Sequence, residues 1–74
     1  MSAFNVHVNL TISKDDKNIA HGELTTDFSS TRYNFTLNAE TSSVVFFDEE
    51  FAMSKPVRLF VEMIWCEYYK ELRK

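Results

Sequence analysis

The residues best suited to acid–base or metal chemistry are His7, His21 and Glu23, all on short stretches of alternating polarity. An imidazole beside a carboxylate can move a proton, so His7 or His21 with Glu23 could form an acid–base pair. Pairing the two stretches so that their apolar faces coincide sets His7 opposite Thr25 and His21 opposite Thr11. The imidazoles then stand about four residues apart, on the order of 13 Å, too far to share a metal ion. The sequence offers no nucleophile or third ligand beside them. A single Gly leaves no glycine-rich phosphate loop. The expectation is a protein that is not an enzyme, with no catalytic residue, no metal site and no cofactor.

Cys66 is the only cysteine, which excludes an intrachain disulfide and a cysteine-based zinc site. A lone thiol on a helix is most simply a reduced cytosolic residue, and only Lys70 nearby could activate it. The sequence predicts a cytoplasmic protein: its start alternates from Ala3 onward rather than running apolar, and no stretch approaches the ~20 apolar residues of a membrane span. A net charge of −3 disfavours nucleic acid and anionic membrane as partners. Lysines and arginines gather at Lys14 and Lys17, and again at Lys70, Arg73 and Lys74. The second group suits the negative end of a helix dipole. A small nucleic-acid-binding module built on it is a weaker alternative, because the polar strand face, where such recognition needs aromatic rings beside Lys and Arg, carries one Arg and no ring. The triplets Asn9-Leu10-Thr11 and Asn34-Phe35-Thr36 match the glycosylation pattern only because Asn and Thr alternate on an outward face.

The elements carrying these residues follow from periodicity. Residues 3 to 13 alternate, with Phe4, Val6, Val8, Leu10 and Ile12 on one face. Residues 19 to 28 put Ala20, Gly22, Leu24, Thr26 and Phe28 inward. Residues 31 to 40 do the same with Tyr33, Phe35, Leu37 and Ala39. Each reads as a half-buried strand. A charged turn at Lys14 to Asn18 and a tight turn at Ser29-Ser30 separate them. Parity gives Ile12–Ala20, Leu10–Gly22 and Val8–Leu24 in the first hairpin. It allows Leu24–Phe35 and Thr26–Tyr33 in the second, with Asp27 across from Arg32. A one-residue slip would turn a whole face over; a two-residue slip would not. Gly22 leaves room for a large neighbour such as Trp65 or Phe60. Residues 44 to 47 read as a short fourth strand, and Asp48-Glu49-Glu50-Phe51 as an acidic helical turn capped by Asp48.

Residues 56 to 74 read as one long helix, with Pro56 in its first turn and Ser54 or Lys55 as cap. At 100° per residue, Val57, Val61, Ile64, Tyr68 and Leu72 form a core-facing stripe, flanked by Phe60 and Trp65. The expected architecture is α+β and one domain over residues 1–74. It is an antiparallel three- or four-stranded meander with the long C-terminal helix across one face, a two-layer sandwich. Seventy-four residues, 45% hydrophobic and with seven Phe, suffice for one compact core.

Leu59, Met63 and Cys66 make a second apolar line, opposite the first. Either Phe46, Phe47 or Phe51 wraps around to cover it, or it faces a partner. With Trp65 and Tyr69 beside it, and the acidic run Asp48, Glu49 and Glu50 before it, this line is the candidate site for a larger protein partner. The function expected is that of a small regulator or inhibitor of such a partner, of the kind carried by phages and other mobile elements. The alternative is a homo-oligomeric structural subunit, most simply a homodimer through Leu59, Met63 and Cys66.

Overall fold

The computed structural model describes residues 5–27 and 29–74. The expectations for Ala3, Phe4 and Phe28 fall outside that range. Four strands, β1 (Val6–Ile12), β2 (Ile19–Thr26), β3 (Ser29–Asn38) and β4 (Ser43–Phe46), form an antiparallel sheet in chain order. A short helix α1 (Glu49–Ala52) and a long helix α2 (Val57–Leu72) follow. α2 lies against the sheet, so the fold is the two-layer α+β arrangement expected.

Alternation places the core. Ala20, Leu24, Phe35, Leu37 and Phe46 from the sheet are buried together with Phe60, Ile64 and Tyr68 from α2. Burying each of the larger side chains contributes roughly 1.5–3 kcal/mol, so these few positions dominate the stability of so short a chain. The first hairpin has the register parity demands: Val8 lies opposite Leu24, Leu10 opposite Gly22 and Ile12 opposite Ala20.

The second hairpin is shifted by two residues from the expected register. Leu24 faces Tyr33, Gly22 faces Phe35 and Ala20 faces Leu37. β3 begins at Ser29, so Ser29-Ser30 belongs to the strand, and an irregularity between Leu24 and Thr26 absorbs the shift. The shift keeps every side chain on its face and gains a fit that the other register lacks. A Cβ built on Gly22 would fall on the Asn9 carbonyl oxygen and lie 2.8 Å from both Leu10 Cβ and Phe35 Cζ. The space at Gly22 is therefore filled by the Phe35 ring of the neighbouring strand, not by Trp65 or Phe60. The expected Asp27–Arg32 pair does not form. Asp27 Oδ1 lies 3.8 Å from His7 Nε2, and Arg32 Nη1 lies 3.8 Å from Glu23 Oε2.

The turn between β3 and β4 is closed by Asn38, whose Oδ1 accepts the N–H groups of Glu40 and Thr41 at 3.0 and 3.4 Å. After β4, Asp48 caps α1 by accepting the Phe51 N–H at 3.1 Å, as the acidic turn predicts. Phe51 then stacks between Tyr33 and Phe60, with ring centroids 3.9 and 5.5 Å away, and meets Phe46 edge-on at 5.0 Å. This stack turns α2 about its axis relative to the expected stripe. Phe60, rather than Val57, joins Ile64 and Tyr68 at the centre of the buried face. Leu72 is 42% exposed in the last turn. Neither Ser54 nor Lys55 caps α2. Pro56 occupies the cap position, and the Ser54 hydroxyl donates to the Phe51 carbonyl at 2.7 Å instead. At the other end, the Tyr68 hydroxyl donates to the Lys17 carbonyl at 2.6 Å and pins α2 to the first hairpin turn.

Candidate functional site

The polar sheet face carries the residues best suited to chemistry, and the register separates them. His7 faces Thr25 and His21 faces Thr11. His7 turns to Asp27 rather than Glu23, and His21 Nδ1 sits 3.2 Å from Thr36 Oγ1. Glu23 is taken by Arg32. These contacts are exposed pairs, each worth ~1 kcal/mol or less, and they do not converge on a common point.

The line Leu59, Met63 and Cys66 is placed differently. Phe51 is used up on the opposite side of α2, Phe47 points to solvent, and nothing among the described residues lies over the line. Leu59 is 60% and Met63 40% exposed, and Cys66 is exposed. The line forms one wall of a groove of about 750 Å³ whose other wall is Val6 and Val8 of β1. Glu62, Glu67 and Lys70 stand along it. A second, more open hollow of about 640 Å³ wraps around the sheet at the middle of β1, from Glu67 and Glu71 on α2 past Val8 and Leu10 to Asn9, Thr11, His21 and Glu23 on the polar face. Lys74 Nζ reaches Glu71 Oε1 at 2.8 Å. That exposed pair is readily exchanged for another cation.

The strand wall matters as much as the helix wall, because β1 is an edge. Ser13 N–H donates to Ile19 O, and Asp27 N–H donates to Asn5 O. In an antiparallel ladder, bonded residues alternate with residues whose N–H and C=O point away. The odd-numbered residues of β1 therefore bond β2. The N–H and C=O groups of Val6, Val8, Leu10 and Ile12 point outward, beside the groove. Phe47 N–H donating to Asn34 O sets the same alternation at the opposite edge. There β4 is only four residues long and is followed at once by α1. The two edges are thus unequal: β4 is short, while β1 is seven residues long and has neither Pro nor Lys nor a bulge to blunt it.

The other residues of the candidate site do not share this groove. Trp65 is half-buried, meeting Tyr68 edge-on at 5.8 Å and stacking on Tyr69 at 6.0 Å. Tyr69 is exposed on that side of α2. Asp48, Glu49 and Glu50 lie on α1 and its cap, where Asp48 does structural work. The outward backbone of β1 and the carboxylates of Glu67 and Glu71 are what sequence reasoning missed. The signal available was the uncharged run Val6–Ile12 at one end of a meander.

No family model, curated protein or solved structure matches this chain.

Proposed function

We propose that this protein is a non-catalytic binding module that engages a larger protein partner through the groove between α2 and β1. The observation that carries the reading is the uncovered line of Leu59, Met63 and Cys66, set against an open strand edge rather than standing alone on a helix. Apolar side chains that a chain of this size could have buried, left exposed in a concave setting, are characteristic of docking surfaces. The role expected of such a module is regulation or inhibition of the protein it holds.

The test is affinity capture from the organism's own lysate, run in parallel with the wild-type chain and two variants. Leu59→Ser with Met63→Ser removes the apolar wall without touching the core. Tyr69→Ser alters exposed surface on another side of α2. A stoichiometric partner retained by wild type and Tyr69→Ser, but lost with the double variant, supports the reading. No partner, or one indifferent to Leu59 and Met63, overturns it.

A further inference from the structure

We infer that the occupant of this groove is an extended segment of the partner that adds to the sheet as a strand beside β1, and that this segment is basic and apolar in alternation. The inference rests on the partner-binding reading and specifies its chemistry.

The backbone argument comes first. Val6, Val8, Leu10 and Ile12 present a row of N–H and C=O groups that nothing among the described residues bonds, since β1 runs in register with β2 along its length. A strand laid against that row makes main-chain bonds at every second residue, independent of its sequence. Its side chains then alternate between the two faces of the sheet. Those on the α2 face enter the groove and meet Leu59, Met63 and Cys66 at one end, and Glu67 and Glu71 farther along. Apolar side chains suit the first end. Lysine or arginine suits the second, where, among the described residues, Glu67 stands outside any ion pair and Glu71 shares only the exposed Lys74.

Charge also decides against a second copy of this chain as the occupant. An antiparallel β1–β1 seam requires a twofold axis normal to the sheet, which sets both α2 helices on the same face. Glu67 and Glu71 flank the middle of β1, so each copy would bring these carboxylates toward their own twins across the seam. Like charges so placed oppose association. A basic segment turns the same carboxylates into attraction.

The probe is a displayed library of random linear peptides, selected against the full chain at low salt. The expected binders carry Lys or Arg alternating with apolar residues. On the wild-type chain, a selected peptide should slow hydrogen exchange at the amides of Val6, Val8, Leu10 and Ile12, which β2 leaves unprotected. Val8→Pro deletes one outward N–H without removing a bond to β2 and should weaken the peptide roughly tenfold or more, whereas Val8→Ala, which keeps the N–H, should weaken it less. Glu67→Lys with Glu71→Lys should invert the preference toward acidic peptides. No binders, binders without basic residues, or binding that leaves the β1 amides exchanging freely overturns the inference. So does protection of those amides in the chain alone through self-association. If Val8→Pro fails to fold, the exchange measurement on the wild-type chain still decides. A lysate partner that depends on Leu59 and Met63 but leaves the β1 amides unprotected refutes the added strand and leaves the binding module standing.

Discussion

Gly22 shows how a single residue can select a strand register. It lies in the middle of β2 with β1 on one side and β3 on the other, and the Phe35 ring rests in the space its missing side chain leaves. Gly22→Ala would push a methyl group into the Asn9 carbonyl, a backbone atom that cannot swing aside, and into Leu10 and Phe35. Overpacking of this kind costs about 1–3 kcal/mol, and the backbone contact favours the upper end. Urea denaturation of Gly22→Ala should show a lowered midpoint at an unchanged slope; equal midpoints would mean that β1 and β3 yield freely. Tyr68 makes a second prediction at this scale. Burial, reinforced by Tyr69 and Asp16 nearby, raises its hydroxyl above the usual value of 10.0. The folded chain therefore holds this proton more tightly than the unfolded chain does. The stabilisation is fully present below the unfolded value and is lost as pH rises above it toward the folded one. Tyr68→Phe removes the bond to the Lys17 carbonyl, with an expected cost of about 1 kcal/mol near neutrality. It should also flatten the loss of stability above about pH 10. A mutant whose melting temperature falls as steeply as wild type in alkali would contradict this account.

At the scale of the element, α1 is short but organises the end of the core opposite Tyr68. Its Phe51 ring joins β3, β4 and α2 by touching Tyr33, Phe46 and Phe60. Phe51→Ala is expected to cost about 2–3 kcal/mol, below the full value for a buried ring because Phe51 is half-buried. Asp48→Ala should cost about 1 kcal/mol through the cap alone. Thermal unfolding of both variants tests the ordering: a cap mutant as damaging as the ring mutant would mean that the turn, not the stack, is what matters. This stack also shows where sequence reasoning stops. The faces of all three long strands could be read because alternation has only two phases. The second register could not, since Leu24 against Tyr33 and Leu24 against Phe35 satisfy parity equally, and only the volume at Gly22 separates them. The helix face was readable to within one step of rotation. Choosing Phe60 over Val57 as its centre needs Phe51, a residue in another element. Leu59, Met63 and Cys66 were legible as an apolar line because they recur at helical spacing outside the core stripe of α2. Their groove was not, because its other wall, Val6 and Val8 of β1, depends on where α2 lies along the sheet.

At the scale of the whole molecule, the sheet has one short edge leading into α1 and one long edge with nothing bonded to it among the described residues. Long uncharged edges invite pairing with any strand, including those of other copies. Here the strand itself has no Lys, Arg, Asp or Glu to prevent this, so the safeguard must come from outside it. Glu67 and Glu71 stand beside Val8 and Leu10, where a second copy would have to approach. The wild-type chain is accordingly expected to remain monomeric at tens of micromolar near neutral pH and physiological salt. Replacing both carboxylates, as Glu67→Gln with Glu71→Gln, and with Lys74→Gln added so that its cation is not left unpaired at the seam, preserves shape and removes the repulsion. That variant should self-associate through β1. Light scattering after size exclusion reads the change, and adding Val8→Pro to it should return the chain to a monomer. A wild-type dimer would remove the safeguard from the argument. A neutral variant that stays monomeric would show that something other than charge keeps the edge open. With the predicted outcome, the same two residues that keep copies apart would also be the ones that favour a basic partner strand.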